Sequence, residues 1–338
     1  MKHKIIAALL FLTLSIVSAA AWQPNKTIEV TTAFAPGSGN EMIFRALAKP
    51  IEKAGQAKFL VLHKPGAGGV VGTEQFYRLP ADGYHAILLS YTGTYAMDKI
   101  TVPDTKNRTY TTDSFSYVQV SASSPFVIVA NPSDPINNAE QLVALLKTNP
   151  KISFNSSGGS RLTYELLLEK IKFKTGPEGV VRVEQPGPVP SIMSIAGGHV
   201  RFASVPLAVA YQFHKEGKIK IIALTGKDAH PDLPGVKTLD SAMPGVVAVA
   251  YWGLALPKGA PKDVMDWYQT TFAAAFKDKE VQEYYKQNMF SFDETKLTSQ
   301  ATLEFVKSQE KFYQKMIDGI LAEEAARKNC NPHFAACK

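Results

Sequence analysis

Four short turns carry the residue types that can hold a ligand without a charged side chain. The first is Phe34-Ala35-Pro36-Gly37-Ser38-Gly39-Asn40, where the glycines let the backbone approach a ligand and Ser38 and Asn40 add hydrogen-bonding groups. The second, residues 65–72 (PGAGGVVG), has the pattern G-x-G-x-x-x-G. The third, Ser90-Tyr91-Thr92-Gly93-Thr94-Tyr95, is rich in hydroxyls, and so is the fourth, Asn155-Ser156-Ser157-Gly158-Gly159-Ser160. A turn that opens a helix presents unpaired N–H groups and a partial positive charge. Several such turns brought together would bind a carboxylate or phosphate. Each also has a plainer use. Asn40 or Ser160 can simply cap a helix, and the glycines of 65–72 can simply let a helix pack on a sheet.

Bond-making chemistry has little support in the sequence. Residues 158–162 (GGSRL) lack the final glycine of a nucleophile elbow. The seven histidines are scattered with no H-x-x-x-H or H-E-x-x-H, and no carboxylates cluster at metal-ligand spacing. His85 and His199 read as surface or turn residues. The glycine pattern at 65–72 would suit a dinucleotide only if the next strand ended in an acid, and residues 86–90 (AILLS) do not. No metal and no cofactor is therefore expected.

The elements that must position these turns alternate between β-rich runs and helical stretches, which is the signature of α/β architecture. Strands are expected over 27–33, 59–62, 86–90, 152–154, 180–183, 202–205, 219–223 and 252–256. Residues 119–120 and 126–130 read as two strands around a polar loop. Helices are expected over 41–54 (with Pro50 as a possible kink), 139–147, 161–172, 190–196, 207–215, 261–276 and 298–326. In the 161–172 helix, Leu162, Leu166, Leu167 and Ile171 share one face. The proline-bracketed stretch 231–234 (PDLP) reads as a loop. In open α/β sheets, ligands bind beyond the carboxyl ends of the strands, where helix N-termini point.

Composition narrows the class. The chain has 338 residues, 45% hydrophobic and 20% charged, which excludes a disordered or fibrous protein and suggests two domains. The net charge of +7 is spread along the chain without a basic run, so no nucleic-acid partner is expected. Lys2 and Lys4 precede an apolar run over 5–17, and Ala19-Ala20-Ala21 follows. These are the three parts of a secretory signal, with cleavage expected after Ala21. The apolar run is too short to span a bilayer, no cysteine stands at the cleavage point for a lipid anchor, and export of a soluble chain is expected. Two cysteines rule out a disulfide scaffold, but Cys330 and Cys337 would form a small disulfide loop at the C-terminus in an oxidising compartment.

Six segments in order resemble the periplasmic solute-binding receptors of tripartite tricarboxylate transporters, the Bug (TctC-like) family. They are Phe34-Ala35-Pro36-Gly37, Lys64-Pro65-Gly66-Ala67-Gly68-Gly69, Pro80-Ala81-Asp82-Gly83-Tyr84-His85, Asn155-Ser156-Ser157-Gly158, Gly197-Gly198-His199-Val200 and Tyr251-Trp252-Gly253-Leu254. The resemblance runs from Trp22 to about residue 315. It implies a type II two-domain periplasmic clamshell, each domain a β-sheet flanked by helices. Domain one would comprise 22–122 and 224–338, and domain two 123–223, after a signal peptide over 1–21. It also implies a non-enzymatic receptor that captures a small organic carboxylate (a di- or tricarboxylate or an aromatic acid) between the domains and delivers it to membrane permease subunits. A receptor that feeds a signalling system, or an exported enzyme on the same fold, are the alternatives. Carried over position by position, the ligand would meet Ala35, Gly37, Ser38, Gly39 and Asn40, then Thr92, Thr94 and Tyr95, then Ser156, Ser157 and Gly158.

The chain departs from the family pattern in the first turn and on the second domain's wall. The usual Gly-Gly-Ser-Thr-Asp reads Gly37-Ser38-Gly39-Asn40-Glu41, and Pro-Tyr-Lys-Gly-Gly reads Glu184-Gln185-Pro186-Gly187-Pro188. Arg201 and Val205 stand where the family has acids, and Arg161 stands near a family histidine. Arginine matches a carboxylate bidentately. Arg161 and Arg201 are therefore either ligand-binding residues or solvated surface residues.

Overall fold

A computed structural model describes residues 21–104 and 106–329 of the chain. Apart from Ala21, the leader expected over 1–21 lies outside these residues, and so does the Cys330–Cys337 pairing.

In the first half of the chain, β1 (Ile28–Thr32) leads into α1 (Gly39–Lys53), then β2 (Phe59–His63), α2 (Val70–Phe76), β3 (His85–Ser90) and α3 (Asp98–Thr101). β1 pairs in parallel with both β2 and β3. α1 buries Ile43, Phe44, Leu47, Ala48 and Ile51, the helical spacing of one apolar face. It carries Glu41 in its first turn and Lys53 in its last, both favourable to the helix dipole, and it runs through Pro50 without ending there.

The expected polar loop between 120 and 126 is instead the middle of one 16-residue strand, β4 (Phe115–Ala130). Its polar residues are accommodated because their backbone joins a ladder. Ser123, Ser124 and Pro125 pair with Tyr251, Ala250 and Val249 of β9 (Val249–Pro257). Side-chain polarity reports exposure, whereas strand formation here is set by backbone pairing with a segment more than a hundred residues away.

β4 also changes partners along its length. Residues 115–125 pair antiparallel with β9, which in turn pairs antiparallel with β3. Residues 126–130 pair antiparallel with β7 (Phe202–Pro206) and, on the other edge, with β8 (Lys220–Leu224). β7 continues in parallel to β5 (Ile152–Asn155), and β5 to β6 (Val180–Val183). The strand order is therefore β2-β1-β3-β9-β4-β7-β5-β6, with β8 beside β4. The α/β clamshell expectation holds, and β4 is a continuous strand linking its two mixed sheets.

The helices of the second half are α4 (Ala139–Lys147), α5 (Arg161–Ile171), α6 (Pro188–Ala196) and α7 (Leu207–Lys215). A satellite core on this side packs Val127 and Val129 of β4 against Ile192, Ile195, Val205, Leu207 and Ile221. After β8 come a short α8 (Leu239–Ala242), then β9, α9 (Lys262–Phe276), α10 (Lys279–Gln287) and the long α11 (Ser299–Asn329). α10 was not expected, because KEVQEYYKQ is mostly polar and buries only Val281 and Tyr285. Among the described residues no helix is long and apolar enough to cross a membrane.

Candidate functional site

The first and fourth turns close on a cavity of about 40 Å³. From the first half of the chain it is lined by Phe34, Ser38, Gly39, Asn40 and Ser90, with Ala250 and Trp252 of β9. From the second half it is lined by Phe126, Ser157, Gly159, Ser160, Gly187, Pro188, Ser191, Ser204, Val205 and Pro206. None of these residues carries a charge. Four helices begin at this cavity: α1, α5 through the 3-10 turn Gly158–Ser160, α6 and α7. Helix first-turn amides lack intrahelical acceptors and suit an anion, but here those of Glu41, Arg161 and Ala208 are already held, by Asn40 Oδ1, the Gly158 carbonyl and Ser124 Oγ. α6 contributes few donors, since Pro188 and Pro190 have no N–H.

The two walls touch around this cavity. The Ala35 amide donates to the Pro186 carbonyl at 3.1 Å. Gly37, at φ +82°, stands where a Cβ would lie 3.0 Å from Val189 Cγ2. Gly158, at φ +52°, is packed so closely that a Cβ would meet the Gly68 carbonyl oxygen at 2.8 Å. That contact gives the second glycine turn its role. It receives the fourth turn, and no cofactor role is needed to explain its glycines.

The first turn is tied down from behind. Asn40 donates from Nδ2 to the Leu88 carbonyl (2.7 Å) and accepts the Glu41 amide at Oδ1 (3.0 Å). The buried Glu41 carboxylate accepts the Gly37 amide (3.0 Å), Arg45 Nε (2.8 Å) and Arg45 Nη2 (2.7 Å), and its Oε2 lies 3.0 Å from His63 Nε2. Burial alone would raise the Glu41 carboxyl, but the His63, Arg45 and Gly37 hydrogen bonds outweigh it and hold the group below the ordinary glutamate value. Sequence reasoning did not anticipate this cluster, because His63 and Glu41 meet only through the β1–β2 pairing.

Several polar side chains at and behind the cavity have no partner among the described residues. Ser38 occupies the N-cap of α1 without capping it, and its Oγ is buried and unbonded. A serine N-cap ordinarily accepts a first-turn amide. Ser204 Oγ and Ser156 Oγ are also buried and unbonded, as are both polar atoms of Asn155. Buried polar atoms without partners are uncommon in native proteins and cost free energy, so a cluster of them marks a place where something else supplies the hydrogen bonds.

The structure divides the residues expected at the site. Ser38, Gly39, Asn40 and Ser157 line the cavity. Ala35, Gly37 and Gly158 stand just outside it and shape the contact between the walls. Ser156 is fully buried behind the fourth turn, with its amide on the Val183 carbonyl.

The third turn does not enter as expected. Thr92 Oγ1 donates to the Val249 carbonyl (2.9 Å) and accepts the Tyr251 amide (3.2 Å). Thr94 bonds back to the Ser90 carbonyl at 3.2 Å. Tyr95 stacks on Tyr313 of α11 with ring centroids 5.9 Å apart. Thr92 therefore ties the turn to β9 and Tyr95 ties it to α11, while Thr94 braces it internally, and of this turn only Ser90 lines the cavity. Behind it, burial pushes the Asp98 carboxyl up to about 6, even though it accepts the Tyr110 phenol and Arg108 carries a nearby charge.

Neither arginine reaches the cavity, and neither is a free surface residue. Arg161 is 5% exposed and pairs with Glu165 at 2.6 Å one turn along α5. Arg201 precedes β7, at the end of that strand opposite the cavity, and pairs with Asp134 at 2.8 Å. Ser204 and Trp252 do line the cavity, and sequence reasoning overlooked them as site residues. The one available signal was a serine within the otherwise apolar 202–206 (FASVP).

Comparison with known proteins agrees with this architecture. The family model for the tripartite tricarboxylate transporter family receptor, TctC, matches residues 43–321. A Cupriavidus necator relative, "UPF0065 protein in gbd 5'region", is 27% identical over 273 residues, covering 80% of this chain and 79% of its own. The periplasmic binding protein BugD superposes with a TM-score of 0.77 at 26% identity, over 87% of this chain and 98% of its own. MatC from Rhodopseudomonas palustris, solved with bound malate, superposes with a TM-score of 0.79 over 87% of this chain and 99% of its own. At 18% identity, that likeness speaks to the fold alone. A family model that spans most of the chain, joined to this clamshell and its helix-ended cavity, shows that the chain belongs to the TctC family, the solute-binding receptors of tripartite tricarboxylate transporters.

Proposed function

We propose that the protein is an exported, periplasmic receptor that captures a small organic carboxylate in the cleft and delivers it to the membrane permease subunits of a tripartite transporter. The two closing units are 22–122 with 224–338, and 123–223. Capture, hinge closure and release make and break no covalent bond. The observation that carries this reading is the convergence of four helix N-termini on a cavity with no charged lining side chain. In this reading the carboxylate meets the amides of Gly39 and Asn40 at the start of α1 and of Gly158 and Gly159 in the fourth turn, with Ser38, Ser157 and Ser160 around it. Membership of a tricarboxylate transporter receptor family supports an organic acid as the ligand class.

Thermal unfolding of the exported chain against mono-, di- and tricarboxylates, aromatic acids, amino acids and sugars tests this. A true ligand at about a hundred times its Kd adds ~2.7 kcal/mol. For a chain of this size that raises the Tm by several degrees. Shifts confined to carboxylates are expected; a response to sugars alone would overturn the assignment.

A further inference from the structure

If the cleft binds a carboxylate as proposed above, the geometry points to a narrower ligand class: a short monocarboxylate with a neutral oxygen beside its carboxylate, a 2-hydroxy or 2-oxo acid held between Ser38 and Ser204. Three observations carry this. The first is size. The cavity measures about 40 Å³, whereas an apolar cavity of roughly 150 Å³ is what accommodates benzene. With the walls in contact through Ala35–Pro186 and Gly158–Gly68, there is room for a few heavy atoms and no long chain.

The second is charge. Beyond its serines and glycines the cavity presents apolar side chains, Phe126, Val205, Pro206, Ala250 and Trp252. The arginines of the second half that stand nearest in sequence to its lining residues are already in ion pairs: Arg161 with Glu165, Arg182 with Glu184 and Arg201 with Asp134. A second carboxylate would be buried here with no countercharge, which is strongly unfavourable.

The third is the pair of unbonded hydroxyls. Ser38 Oγ, 3% exposed, sits at the N-cap of α1 beside the amides that would take the carboxylate. Ser204 Oγ, 1% exposed, lies in β7 between apolar neighbours and has no hydrogen-bond partner among the described residues. A hydroxyl both donates and accepts, so Ser204 suits a hydroxyl or keto oxygen equally. A site built to bond such an oxygen discriminates strongly against an analogue that lacks it, because its own polar group is then left unpaired.

The test is calorimetric titration of the exported chain, refolded from denaturant to strip any carried ligand, with lactate, propionate, malate and adipate. Lactate is expected to bind at least about tenfold more tightly than each of the other three. Ser204→Ala is expected to shrink the lactate-to-propionate preference about tenfold, and Ser38→Ala to weaken both acids together. Quenching of Trp252, checked against Trp252→Phe, places the binding in this cavity. Malate or adipate binding as tightly as lactate overturns the short-acid inference but leaves the carboxylate receptor standing, and so does an unchanged preference in Ser204→Ala. Failure of all the acids overturns both.

Discussion

On the wall built by the first turn, the protein itself holds the buried polar groups other than Ser38 Oγ, whereas on the opposite wall several find no partner among the described residues. Asn40 and Glu41 together engage the Leu88 carbonyl, the Gly37 amide, Arg45 and His63. Across the cleft, Asn155, Ser156 and Ser204 are buried without partners. The first wall is therefore preorganised by the protein's own hydrogen bonds. Of the three across the cleft, only Ser204 lines the cavity, so it is the one whose desolvation cost a ligand there can relieve. If the receptor closes on its ligand as proposed, this asymmetry favours closure when Ser204 finds its partner.

The largest effect expected from testing this contrast comes from the first half's own exception, Asp98, which is buried with a single phenol donating to it. Its carboxyl titrates near 6 in the folded protein against 3.8 as the ordinary value. A raised carboxyl pKa means the folded state holds the proton longer, so stability falls as pH rises from 4 through 6, by about 3 kcal/mol. Asp98→Asn should remove that slope in urea denaturation measured across this range. A slope that survives the substitution would remove Asp98 as its source.

Glu41 should behave in the opposite sense. Its folded pKa is lowered, so its contribution is full above its ordinary value near 4.5 and is lost as pH falls through the folded value. Glu41→Ala should cost about 2 kcal/mol at neutral pH, and the gap from wild type should close on acidification. An equal deficit at pH 3 and pH 7 would mean the carboxylate is not what ties the turn.

Gly158→Ala probes the meeting of the walls. Its positive φ and the nearby Gly68 carbonyl oppose a methyl group in the closed form. Ligand affinity should drop about tenfold, read by titration, with a smaller change in the melting of the free protein. Unchanged affinity would show that the cleft closes without this contact.

The smallest expected effect is a gain. Ser204→Ala removes a buried hydroxyl that lacks a partner, so the free protein should become about 1 kcal/mol more stable while binding weakens. A loss of stability in the free protein would mean that Ser204 already has a partner, and the contrast between the walls would shrink.

Much of the architecture was legible because it is local. The apolar spacing of α1 and α5, the β-branched runs of β1 and β4, and the glycines and serines that open helices all act over a few residues. The expected boundaries of the helices over 139–147 and 207–215 coincide with α4 and α7. The misreadings were non-local. The 120–126 stretch looks like a loop until β9 pairs with it. Thr92 and Tyr95 look like ligand hydroxyls until β9 and α11 claim them. Arg161 and Arg201 look available until Glu165 and Asp134 are placed beside them.

By itself the sequence determined the α/β alternation, the order of the glycine- and serine-bearing turns, and hence the family. Those features depend on backbone conformation and side-chain periodicity, which neighbouring residues set. Tertiary structure alone decided which of many similar hydroxyls remain unpaired at the cavity, which charges cancel, and how little space is left between the walls. Those outcomes depend on partners brought together across tens to hundreds of residues, and a hydrogen bond or ion pair depends on distance in space rather than spacing along the chain.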